Sequence, residues 1–111
     1  MSERITKSDI AVQTALVAAY STTAGIIREG DRLTVTRAPS GYSLMVIRAG
    51  ESGLSSYPVT GGYGQIGSTA REAFHTLKTI AGTLSMTLDA LDVPHTYPSA
   101  AIAAIREGGK R

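Results

Sequence analysis

The chain has 111 residues and a mass of 11.6 kDa, the size of one ordinary domain. At 42% apolar and 18% charged it is too apolar for a disordered chain, yet no run approaches the ~20 apolar residues of a spanning helix. Cysteine is absent, which removes disulfides, thiol nucleophiles and thiolate metal sites, and a formal charge of +2 falls short of the field of a dedicated nucleic-acid binder.

The chain opens without a basic-then-apolar leader and cleavage site, so the expectation is a soluble cytoplasmic protein with no membrane contact. The spacing predicts a first helix over about 8–22. Thr6-Lys7-Ser8-Asp9 supplies capping hydroxyls and an acid suited to the positive end of the helix dipole. Ile10, Val12, Leu16, Ala19, Tyr20 and Thr23 form one apolar face, and Gly25 is the stop. Residues 25–29 read in two ways: as a short extra strand turned back by Gly30-Asp31, or as a prolongation of the helix through Ile26-Ile27.

The middle third reads as strands. Residues 31–37 alternate, with Leu33 and Val35 on one face and Arg32, Thr34 and Thr36 on the other. Residues 42–48 are apolar on both faces, as a central strand requires. Ala38-Pro39-Ser40-Gly41 joins the two as a hairpin turn. A further strand over about 54–60 is expected at a sheet edge, because Pro58 has no N–H for a ladder.

The last third reads as helix. Thr69-Ala70-Arg71-Glu72 has the spacing of a capping box. Ala73, Leu77, Ile80, Ala81, Leu84, Leu88 and Leu91 then keep a helical period as far as Pro94, with Gly82 as a weak point. A short helix begins near Pro98, contains Ile102 and Ile105, and stops at Gly108-Gly109. The fold expected is a single α+β domain over residues 1–111. Its order is α-β-β-β-α-α, with helices packed on one face of a small antiparallel meander of three or four strands.

Few residues suggest chemistry. Gly62-Tyr63-Gly64-Gln65-Ile66-Gly67 matches the dinucleotide-binding G-x-G-x-x-G string, but no further strand follows the next helix. It is read as a glycine-rich connection. His75 is placed on a helix surface and His95 in a loop, neither with a carboxylate or histidine at i+4. Glu72 stands three residues before His75, a spacing of di-metal bundles, which need two such pairs where this chain has one. Asp89 and Asp92 read as solvated helix-end residues. There is no G-x-S-x-G elbow among the many serines and threonines. No enzyme activity, cofactor or metal is expected. Arginine is the better lead: Arg28, Arg32, Arg37 and Arg48 fall on or beside the strands, with Tyr42 and Tyr57 near them. Such a surface suits a carboxylate-rich protein partner, or single-stranded nucleic acid stacked on the aromatic rings.

Three resemblances accompany these residues. The helix, strands and helix over about 6–91 resemble the double-stranded-RNA-binding domain. The stretch matching that family's phosphate-reaching helix start, Gly67-Ser68-Thr69-Ala70-Arg71, has one basic residue, so the likeness is topological. Ala90-Leu91-Asp92-Val93 followed by Ala101-Ile102 and Ile105-Arg106-Glu107 is similar to the end of a helix-turn-helix in excisionase-type proteins, though its second helix shows no base-reading side chain before Arg106. The strand–turn–strand run over 31–49, with the helix opening Ala70-Arg71-Glu72-Ala73, resembles small accessory proteins of actinobacterial phages. Eight arginines against three lysines, with no asparagine, fit a GC-rich genome.

That last resemblance implies binding to host or virion components rather than catalysis. The function expected is therefore a small interaction module that binds a protein partner or itself, with nucleic-acid binding through the arginine-bearing sheet as the alternative. A homodimer is expected because Ala73, Phe74, Leu77, Ile80, Ala81, Leu84, Met86, Leu88 and Leu91 span more of the long helix than one small sheet can cover.

Overall fold

Thr6 starts the first helix as the spacing predicts. Its hydroxyl accepts from the Asp9 N–H at 3.1 Å and the Asp9 carboxylate accepts from the Thr6 N–H at 2.8 Å, a complete capping box for α1 (Lys7–Thr23). The computed structural model describes residues 5–47, 54–56 and 65–108. α1 ends in a Schellman motif: Gly25 at φ +79° lets its N–H reach the Thr22 carbonyl while the Ile26 N–H reaches that of Ser21. Residues 25–29 are neither strand nor helix. They form turns that bury Ile27, and the Asp31 carboxylate accepts from the Arg28 N–H at 3.0 Å.

β1 (Arg32–Ala38) and β2 (Gly41–Ile47) make the expected hairpin, paired without a break from Arg32↔Ile47 to Ala38↔Gly41. β3 (Leu54–Ser56) and β4 (Gln65–Gly67) both pair antiparallel with β2, opposite Met45–Ile47 and Tyr42–Ser43 respectively. Because β1 occupies one side of β2 along its whole length, β3 and β4 share the other. They are two halves of one third strand, separated in sequence by residues 57–64.

The chain order is thus the expected one, with its third strand in two pieces. The expected strand at 54–60 is observed as far as Ser56; Pro58 and the rest lie outside the described residues. The glycine-rich string is not wholly a connection either. Its last three residues are β4, where Ile66 enters the core.

α2 (Ala70–Ala90) starts at Thr69, whose hydroxyl accepts from the Glu72 N–H at 3.2 Å, while Glu72 reaches one residue further back to accept from the Ser68 N–H. It stops before Pro94 can act. Asp92 adopts φ +55°, the Asp92 N–H donates to Asp89 and the Val93 N–H to Leu88, a second Schellman motif. α3 (Ser99–Gly108) follows Pro98 and buries Ile102.

Strand alternation sets the layers. Leu33, Val35, Leu44, Val46 and Tyr42 share one face of the sheet, and α1 and α2 pack on it. The core joins Val17 and Tyr20 of α1 to Leu44, Ile66, Ala73, Leu77, Ala81 and Leu88. α1 is central, touching α2, α3 and β1. That is why its apolar and small residues surround it rather than form the single face expected from the sequence.

Candidate functional site

Of the arginines expected on or beside the sheet, Arg32 and Arg37 do not share a face of it. Arg32 and Arg37 lie five positions apart on β1, so their side chains leave opposite faces of the sheet. Arg28 is exposed in the turn before β1. Arg48 and Tyr57 lie outside the described residues. What the structure brings together is Arg37 and Tyr42, opposite each other in the hairpin register, with the guanidinium carbon 5.8 Å from the tyrosine ring centroid.

Both residues line an open groove of about 1020 Å³. Its floor is a face of α1 presenting Lys7, Ile10, Ala11, Thr14, Ala15 and Ala18, and Leu33, Thr34 and Val35 of β1 make one wall. Ile105 of α3 and Ala70 of α2 complete it. The polar side chains are Thr6, Lys7, Thr14, Thr34, Arg37 and Tyr42. Thr14 is already committed, its hydroxyl donating to the Ile10 carbonyl at 2.8 Å. Among the described lining residues there are two cations, Lys7 and Arg37, and no carboxylate.

Sequence reasoning found Arg37 and Tyr42 but missed the groove. Its signal was present: Ala11, Ala15 and Ala18 recur at helical spacing on the side of α1 away from the predicted apolar face.

The apolar surface expected on the long helix is arranged differently. Ala73, Leu77, Ala81 and Leu88 are buried and Phe74, Ile80 and Leu84 half-buried. Met86 and Leu91 are 73% and 68% exposed, but five positions separate them, about 140° around a helix axis. They make no common stripe; the α1 residues Ile10, Ala11, Ala15 and Ala18, by contrast, are half-buried along the groove.

A second polar cluster holds the loop between α2 and α3. The His95 ring lies edge-on to Tyr20 with centroids 5.5 Å apart. Its Nδ1 donates to the Val93 carbonyl at 3.0 Å, and its Nε2 lies 3.3 Å from the Ser85 hydroxyl oxygen. Asp89 also approaches Nε2, at 3.5 Å. A hydrolytic relay needs the acid on Nδ1 and the serine on Nε2, and here both stand on one nitrogen. The cluster anchors the loop. His95, expected as an isolated loop residue, is a half-buried packing residue, whereas His75 is exposed beside Phe74 as expected.

Among the described residues no group of three or more His, Asp or Glu side chains is placed to hold a metal ion, and no helix is long and apolar enough to cross a membrane. Comparison with protein families, with curated proteins and with solved structures finds no match to this chain.

Proposed function

We propose that this chain is a small non-enzymatic interaction module, of the kind its resemblance to phage accessory proteins implies, and that it binds a protein partner through the groove between α1 and β1. One observation carries this reading: an open, mainly apolar groove runs beside a strand with no neighbour on its outer side among the described residues. A small-molecule site needs several polar groups converging on one point, and this lining is dominated by alanine, isoleucine, leucine and valine. A partly exposed, mainly apolar groove of this kind favours a macromolecular contact.

The test is affinity capture from a nuclease-treated lysate with three proteins in parallel: the natural chain, Ala15→Arg in the groove floor, and Thr83→Arg on the exposed side of α2. A partner retained by the natural chain and Thr83→Arg but lost with Ala15→Arg supports the reading. Partners indifferent to Ala15→Arg, or lost on nuclease treatment, count against it. Circular dichroism on each variant shows that the fold is intact.

A further inference from the structure

We infer that the groove takes its partner as an extended, acidic segment that adds to the outer edge of β1 as another strand. This rests on the protein-binding reading above and specifies the partner's conformation and charge.

The lining of the groove carries the inference. Leu33 and Val35 face the helices, whereas Thr34 between them belongs to the opposite face of the sheet, yet all three line the groove. A cavity bounded by consecutive residues of a strand reaches the strand's backbone edge rather than only its inner surface. On that edge alternate residues present N–H and C=O groups outward, and among the described residues no strand pairs with them.

Edge strands are usually blunted by a bulge, a proline or a charge in mid-strand. β1 has none of these. Its pairing with β2 runs seven residues without a register shift, and its arginines stand near its ends, leaving Leu33-Thr34-Val35-Thr36 uncharged between them. An added strand would place every second side chain over the alanine floor of α1 and the others in solvent, the usual division of labour in strand addition.

Charge selects the occupant. A second copy of this chain could offer its own β1, but that strand contains two arginines and no carboxylate. Pairing two copies would gather four arginines on one ribbon, and like charges across a ladder are unfavourable. A segment with carboxylates would instead meet Arg37 and Lys7, both in the lining. Arg37 is already held over Tyr42, which lowers the ordering cost of that contact.

The probe is a capped synthetic peptide alternating valine and threonine with a glutamate near each end, titrated to ~1 mM into the full isotope-labelled chain, a range in which even weak pairing registers. Two further peptides are N-methylated on one or the other alternate set of amides, which removes donors from one side of the added strand without touching the protein. Strand addition predicts shifts and slowed exchange of β1 amides, loss of affinity by about tenfold or more in one methylated peptide, and little change in the other. Arg37→Gln and Lys7→Gln should each weaken binding several-fold.

Equal binding of both methylated peptides overturns the strand-addition inference, as does peptide contact with α1 that leaves the β1 amides unmoved, though the protein-binding reading then survives. No β1 response at ~1 mM overturns the inference too. Tighter binding of the same peptide with lysine in place of glutamate overturns the charge assignment. Slowed β1 exchange that grows with protein concentration, without peptide, identifies a second copy as the occupant and overturns the acidic segment.

Discussion

Arg37 and Tyr42 face each other across the β1–β2 hairpin, with the guanidinium carbon 5.8 Å from the ring centroid. The pair sits on the helix-covered face of the sheet and lines the groove, and the two side chains do different work there. Tyr42 is half-buried and packs on the core, while Arg37 is exposed. Tyr42→Ala should cost about 2 kcal/mol or more of stability through lost packing. Arg37→Gln should cost no more than ~1 kcal/mol, the scale of an exposed cation–π contact. Denaturant titration of both single variants and the double variant checks this, with a coupling of about 0.5 kcal/mol expected from the cycle.

The position of Arg32 bears on nucleic acid. A single strand lying on one face of the sheet cannot meet both Arg32 and Arg37, because an odd spacing on a strand separates them. Single-stranded DNA and RNA oligonucleotides are therefore expected to show no measurable association at ~50 mM salt, where phosphate contacts are strong. A steep salt-dependent association that flattens in Arg32→Ala combined with Arg37→Ala would restore the nucleic-acid reading.

Two glycines hold the hairpin tip against β4. A Cβ on Gly41, which sits at φ +135°, would lie 2.5 Å from the Gly67 carbonyl oxygen, and one on Gly67 would lie 2.6 Å from the Glu72 Cβ. Gln65 adds a side-chain hydrogen bond to the Ser40 carbonyl at 3.2 Å. Gly41→Ala and Gly67→Ala should each destabilise by about 1–3 kcal/mol, since backbone stands where the methyl would go. Gly82, with open space around it on α2, should behave oppositely, Gly82→Ala gaining up to ~1 kcal/mol. Thermal melts of the three variants give the order.

Ser21 on α1 is fully buried, and its hydroxyl has no hydrogen-bond partner among the described residues. A buried hydroxyl without a partner keeps its desolvation cost with no return. Ser21→Ala is expected to leave stability unchanged or raise it by about 1 kcal/mol. A clear loss in denaturant unfolding would mean that the hydroxyl is partnered in solution.

The local elements were legible in the sequence because each rests on interactions between near neighbours. Thr6 with Asp9, Thr69 with Glu72, Gly25 beyond the helix and the alternation of 31–37 all act within a few residues, and all appear at or near their expected positions. α2 ends before Pro94 for an equally local reason that periodicity does not signal: Asp92 in the left-handed region gives the last carbonyls partners. Other departures arise where distant parts of the chain compete. The dinucleotide-like string was read as a connection, but β2 has a vacant side where Gln65–Gly67 can pair and the core has a place for Ile66.

The candidate site divides along the same line. Its charged end was visible, since Arg37 and Tyr42 flank a turn whose length fixes their pairing. The groove was not, because it depends on where α1 lies against β1 and how far α3 extends over α1. From the sequence alone came the α+β class, the element order, the caps and the hairpin, all set by periodicity and short-range hydrogen bonding. Only the tertiary structure decided that the third strand is split, that Arg32 and Arg37 serve different faces, and that an open groove lies between α1 and β1. Those outcomes depend on which faces meet, and burial is shared among elements far apart in the chain.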